Sequence, residues 1–351
     1  MNQKLQDAKN ALDNTIKISR THLYKPIQIA EILYRDRVVK DIDINDKKTY
    51  RTKSKKWRDE ITNNLLGTKC TSSAKYQDDV FNAVTPKQLA VLSKENKKHK
   101  GVVEAYIYEQ FTNKHSQLSA ALDTCLNATK ETFDIKEFID MFWSEPRLKR
   151  SVDKVYEIVV FALFSTLIEA LELKVEISIN SKNLSLLNEF EDFAQYTTGL
   201  DSSNPKATQD AKVYRVGVTN AADRGLDMYS NWGPIIQVKH LPLTEGLAED
   251  IVSSVSSDRV IIVCQKADDK LIASLLNQIG CESKIQNIIT EANLCDWYER
   301  ALRGKHSNVL GDKLINALIK ELTEEFPLLD SGADCLKDRH YESIHNEEWG
   351  I

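Results

Sequence analysis

Between Arg224 and Leu241 the chain reads RGLDMYSNWGPIIQVKHL, and this stretch constrains the fold more than any other. Pro234 to Leu241 has the β-branched and apolar density of a strand, which sends Gln237 and Lys239 to one face and Val238 and His240 to the other. A reversal around Asn231, Trp232 and Gly233 returns Asp227 to a position opposite Gln237. A carboxylate, an amide oxygen and an ammonium then converge, which is the equipment for a metal ion and a phosphate.

The flanking pattern places this hairpin in a larger sheet. Strands are expected at about 212–218, 225–230 and 234–241, then a helix at about 245–254, the strand RVIIVCQ, a helix at about 268–279, the strand KIQNIIT and a helix from Leu294. A hairpin followed by helix, strand and helix describes an α/β domain with a mixed β-sheet flanked by helices. Upstream, Val152–Leu173 reads as a long apolar helix, KVEISI as a strand, Leu184–Tyr196 as a helix, and TTGLDSSNPKATQDA as a loop by its Ser, Asn, Pro and Asp content. Residues 1 to about 105 read as helical, with apolar spacing at Pro26–Val38, Trp57–Leu66 and Pro86–Leu92, and a helical connector follows over about 102–141. The expected organisation is a basic helical, DNA-binding domain over 1–105, a connector over 106–150, the α/β domain over 151–310, and a C-terminal helix and tail over 311–351. The tail after Leu328 reads as irregular and carries no assigned role.

Charge is distributed unevenly. Residues 1–100 hold 22 Lys and Arg against 12 Asp and Glu, while the rest of the chain holds 25 against 40. A basic front suits a polyanion, and the acidic remainder is either solvated or gathers carboxylates for metal. The cluster YRTKSKKWR sets Arg51, Lys53, Lys55, Lys56 and Arg58 around Tyr50 and Trp57, which fits phosphate contact with a packing anchor and fits equally a charged helix start with Trp57 in the core. The greasiest run, Val159–Leu171, contains Glu169 and is too short to span a bilayer, and MNQKLQDAKN lacks an apolar secretory core. The six cysteines are widely spaced with no CxxC, which argues against zinc and a disulfide framework and points to a cytoplasmic setting.

Spacing alone does not choose the site. Acid-x-Lys triplets recur, among them Asp46/Lys48, Glu95/Lys97, Asp134/Lys136, Asp210/Lys212 and Asp268/Lys270. Only Gln237-Val238-Lys239 lies in a convincing strand with an acid on its hairpin partner; Asp201, Asp210 and Lys212 are the best rival. Mg²⁺ prefers oxygen ligands in octahedral geometry, so Asp227, the Gln237 side chain and the Val238 carbonyl are the expected ligands, with Lys239 complementing charge on the phosphate and orienting or helping to deprotonate the attacking water. Gln in place of a carboxylate removes one negative charge. Glu157, set in VDKVYEIVVFALF, is the acid expected to complete the set; the alternatives are an exposed helix face for Glu157, with Glu169 or Glu172 in its place. Arg224 and Asn231 are expected near DNA, although Asn231 also suits the turn, and His240 belongs to the core side of its strand. No Walker loop, GxGxxG fingerprint, HExxH or serine elbow is present.

Glu157 on a helix, Asp227 on a strand and Gln237-x-Lys239 on the next resemble the PD-(D/E)xK nuclease superfamily in its variant with Gln at the second ligand position. Leu226 stands where the superfamily often has proline. More narrowly, GLDMYSNWGPIIQVKHL with HLYKPIQIAEILY and SKKWRDEI upstream is similar to type II restriction endonucleases of the HaeII family. That resemblance implies a restriction-endonuclease-like core, Mg²⁺-dependent double-strand cleavage of unmethylated DNA at purine-GCGC-pyrimidine with 3′ overhangs, a homodimer matched to a palindromic site, and a companion DNA methyltransferase. The competing readings are a repair or transposition-associated nuclease on the same core, and a DNA-binding regulator with a degenerate nuclease fold.

Overall fold

The computed structural model describes residues 2–19, 22–67, 79–146, 148–216, 226–255, 257–276, 284–326 and 334–351. The chain divides into two compact units, one of Met1–Ala128, Phe133–Val155 and Ile319–Ile351, the other of Thr129–Thr132 and Tyr156–Leu318.

The first unit carries α1 (Gln3–Ile18), α2 (Tyr24–Tyr34), α3 (Lys53–Leu66), α4 (Asp79–Ala83), α5 (Pro86–Lys98), α6 (Val102–Leu126) and α7 (Ile135–Ser144). Its helix starts are written locally: Thr85 and Gln88 cap α5 reciprocally with Pro86 in the first turn, and Asp134 caps α7 by accepting from the Glu137 N–H at 2.9 Å. That second cap divides the expected single connector into α6 and α7. The core gathers Leu12, Ile27, Ile32, Leu65, Leu92 and Phe111, and it also takes in Tyr341 and Trp349 from the tail. The tail is therefore structural rather than irregular. The Arg339 guanidinium reaches both carboxylate oxygens of Glu31 at 2.6 and 3.1 Å, and the Tyr341 hydroxyl donates to Glu104 at 2.6 Å. Glu104, fully buried, also accepts from Arg37 and Asn96, so its charge is compensated on several sides.

The second unit contains α8 (Val152–Ala170, from Tyr156 onward), β1 (Lys174–Ser178), α9 (Leu184–Glu189), α10 (Glu191–Thr198), β2 (Lys206–Asp210), β3 (Val213–Arg215), β4 (Met228–Ser230), β5 (Ile235–Lys239), α11 (Glu245–Ser254), β6 (Val260–Cys264), α12 (Asp269–Leu276), β7 (Ile285–Thr290), α13 (Glu291–Arg303) and α14 (Ser307–Glu325, to Leu318). Strands β3 to β7 form one mixed sheet in chain order, antiparallel from β3 to β5 and parallel from β5 to β7. One difference from the sequence reading is β2, which falls in the stretch expected to be a loop. It pairs antiparallel with β1 in a separate two-stranded ribbon, and its uniformly exposed residues give no alternation to read.

Strand alternation divides the sheet's two faces. Ile235, Val260, Ile262, Cys264 and Ile288 pack with Ala248 and Ile251 of α11 and Leu275 of α12. On the other face Ile236 and Ile261 line a cavity of about 600 Å³ with Phe164, Leu167 and Trp297. The Tyr298 hydroxyl donates to the Val159 carbonyl at 2.9 Å, tying α13 to α8. Among the described residues no helix is long and apolar enough to cross a membrane.

Candidate active site

The β4–β5 hairpin is held by its turn. The Ser230 N–H and hydroxyl both donate to the Pro234 carbonyl, at 3.0 and 2.8 Å, and Gly233 takes φ +118°, a conformation that disfavours any side chain. Arg259 donates to the Trp232 carbonyl at 2.6 Å and occupies the space that a Cβ on Gly233 would fill. Asn231 braces the approach, accepting from the Lys212 N–H and donating to the Asp210 carbonyl at 2.9 and 2.8 Å. Both ends of its amide therefore serve the turn. Arg224 lies outside the described residues.

Met228 pairs with Ile236 and Tyr229 with Ile235, so the next step of the ladder sets Asp227 across from Gln237. The Asp227 carbonyl accepts from the Val216 N–H at 2.9 Å, which carries the β3–β4 pairing to this point. Its carboxylate Oδ2 accepts from the Val238 N–H at 2.8 Å and from the Lys239 ammonium at 3.3 Å. The side chains of Asp227 and Lys239 are 13% and 32% exposed, so the pair sits at a surface opening and not in the core. Between them in register, Gln237 is 2% exposed and its Nε2 has no hydrogen-bond partner. The unpartnered atom is the amide nitrogen, a donor; a cation would be met by the amide oxygen. Val238, whose carbonyl is the third expected ligand, is buried within β5.

Glu157 is buried on α8, one residue beyond Tyr156. The Tyr156 hydroxyl donates to the carbonyl of Cys264, the residue paired with Lys239, so this part of α8 meets the sheet at the C-terminal ends of β5 and β6. That is the end at which Asp227 and Lys239 meet. Burial drives the Tyr156 phenol well above its ordinary pKa and the Cys264 thiol up to about 11, so this anchor stays neutral. Among the described residues no group of three or more His, Cys, Asp and Glu is gathered for a metal. A cation here would draw on amide and main-chain oxygens as well as carboxylates.

The rival is otherwise engaged. Asp210 pairs with Lys174 across the β1–β2 ribbon, whose hydrogen bond and charge hold its carboxyl below the usual range, and Asp201 accepts from the N–H groups of Ser203 and Asn204 in its own loop. Two features escaped the sequence reading. The Val238 N–H contact to Asp227 depends on register, which spacing does not reveal. Tyr214 and Tyr229 stack across β3 and β4 with ring centres 5.0 Å apart, and both are exposed on the face that carries Asp227; the period-2 alternation forward from Asp227 would have found the second of them.

In the first unit the basic cluster opens α3. Arg51, Lys53 and Lys56 are exposed, Lys56 lies 3.7 Å from Glu60, and Lys55 is half-buried. Arg58 departs from the expected phosphate contact. It is 4% exposed, its guanidinium is bound to Asp59 at 2.6 and 2.8 Å, and it lies 5.7 Å from the Tyr24 ring, because the helix turns this position inward. Trp57 is buried in the core of the same unit with Arg35 over its ring.

The chain is also similar in sequence to known proteins. The chain is 57% identical over 328 residues to the type II restriction enzyme HaeII of Haemophilus aegyptius, covering 93% of each chain. It is 52% identical over 333 residues to the type II restriction enzyme NgoBI of Neisseria gonorrhoeae, covering 94% of each. No solved structure matches it. The profile of the HaeII restriction endonucleases matches residues 8–341, and the chain belongs to the HaeII restriction endonuclease family.

Proposed function

We propose that Asp227, Gln237 and Lys239 are the hydrolytic centre of this site-specific deoxyribonuclease, and that it cuts both strands of unmethylated DNA at purine-GCGC-pyrimidine with Mg²⁺. The observation that carries the reading is the Lys239 ammonium on the Asp227 carboxylate at 3.3 Å, with the buried Gln237 across from Asp227 in the strand register. The donor set fits Mg²⁺ by its oxygens: both hydrogen bonds to Asp227 fall on Oδ2, Gln237 carries an amide oxygen, and the Val238 carbonyl lies between the two functional side chains in sequence. Asp227, Gln237 and the Val238 carbonyl would hold the ion, and Glu157 would restore the negative charge that Gln237 lacks. The bound ion supplies Lewis-acid polarisation of the scissile phosphate and a more acidic water.

The chain's own groups do the rest. Lys239 complements the negative charge that grows on the phosphate and orients the attacking water. The Val238 N–H fixes the Asp227 carboxylate at the strand end, which limits its freedom before substrate arrives. Arg51, Lys53, Lys55 and Lys56 contact phosphate in a sequence-independent way. In this reading the enzyme works in the cytoplasm as a homodimer, and a companion methyltransferase protects the host's own sites.

Replacing Lys239 by Ala tests the assignment. Cleavage should fall by at least about a thousandfold, as for loss of a principal charge-stabilising group, while specific DNA binding stays measurable by mobility shift. Full cleavage by Lys239→Ala would remove Lys239 from the centre.

A further inference from the structure

We infer that the excursion from Leu171 to Asp210 is the surface through which two copies of this chain associate. The inference rests on the reading of the enzyme as one that cuts both strands, because a chain with one Asp227–Lys239 centre needs a second copy to present a second centre to the opposite strand.

The excursion runs through β1, α9, α10 and β2. It exposes Leu171, Ile177, Leu186, Phe190, Phe193 and Tyr196, with Phe193 64% and Tyr196 85% exposed. Leu187, Ala194 and Leu200 are the buried positions of the same segment, so the aromatic residues form an outward side and not a frayed core. At roughly 200 Å² for each fully exposed large side chain, these six present on the order of 700 Å² of surface. Each partner of a stable interface contributes about 800 Å², the same order. The surface is therefore sized for a protein partner.

Charge selects the kind of partner. Residues 171–210 contain seven Asp and Glu against three Lys, which disfavours DNA. The ribbon itself points to a second copy. Among the described residues β2 pairs only with β1 and every one of its residues is exposed; its outward backbone groups are those of Lys206, Thr208 and Asp210, of which the Asp210 carbonyl accepts from Asn231 and the others offer an open edge. Antiparallel pairing of β2 with its own copy about Thr208 sets Lys206 across from the second copy's Asp210. Within the ribbon Lys174 already pairs with Asp210, and Lys206 with Glu176 at 2.7 Å. The joined sheet would thus alternate base and acid across all four strands, Lys174, Asp210, Lys206 and Glu176 in turn, which is the self-complementarity that a twofold interface requires.

The test is the solution mass of the full-length protein with Phe193→Glu and Tyr196→Glu made together. The wild type should sediment at twice the 40.0 kDa chain mass at micromolar concentration, and the variant at one chain mass with its dissociation constant raised at least a hundredfold. On plasmid DNA the variant should nick and no longer linearise in one encounter. A monomeric wild type, or a variant that stays dimeric, overturns the inference. Where the variant fails to fold, hydrogen exchange of the outward-facing wild-type amides of Lys206 and Thr208 decides: protection that is lost on dilution supports β2 pairing, and protection independent of concentration, or none at all, overturns it. A dimer that disperses as expected but hydrolyses no DNA in either form counts against the proposed function and leaves the interface standing.

Discussion

Gln237 carries the most pointed residue-scale consequence. A neutral amide stands where a carboxylate would bind a cation more tightly, and its buried Nε2 makes no hydrogen bond. An unmade buried bond costs about 1–3 kcal/mol, so packing alone does not account for the residue. Gln237→Glu should lower the Mg²⁺ concentration for half-maximal cleavage by about tenfold, the equivalent of about 1.4 kcal/mol. Gln237→Leu should stabilise the fold slightly while reducing cleavage. Metal titration of cleavage with thermal melting of both variants checks this; a Leu variant that melts earlier and cleaves normally would make the amide structural. Asp227 and Lys239 were legible as residues because strand period and turn chemistry place them together. Arg58 was not: its charge reads the same in sequence whether it faces a phosphate or, as here, Asp59 and Gln28.

At the scale of elements, the hairpin and the parallel strands β5 to β7 were readable because a buried sheet demands dense β-branched runs. Strand β2 was not, since KATQD is exposed at every position and its pairing with β1 is what makes it a strand. The tail was missed for a related reason. Tyr341 and Trp349 are isolated buried residues without periodicity, and their place depends on partners that lie far away in sequence: Glu104 for the Tyr341 hydroxyl, Tyr106 for the Trp349 ring at 5.4 Å. Trp349 is 1% exposed, so Trp349→Ala should destabilise the first unit by about 3–5 kcal/mol, read as a shift in the denaturant midpoint. No shift would mean that the tail is not held in this core.

For the whole molecule, charge is uneven along the chain, with a basic surplus in residues 1–100 and an acidic remainder, and the proposed division of labour puts phosphate contact in the former and hydrolysis in the latter. The sheet of the second unit brings to one strand end an acid, an amide and a lysine that are separated by as many as twelve positions. The sequence pattern was sufficient to propose this convergence; the backbone contact from Val238 and the anchoring of α8 by Tyr156 required the fold. Digestion of supercoiled plasmid DNA by the wild type and by Asp227→Asn, each with Mg²⁺ and with EDTA, tests the central claim most directly. The wild type should give discrete fragments with Mg²⁺ and intact plasmid with EDTA, and Asp227→Asn should leave the plasmid intact in both. Discrete fragments from Asp227→Asn, or from the wild type in EDTA, would contradict the account.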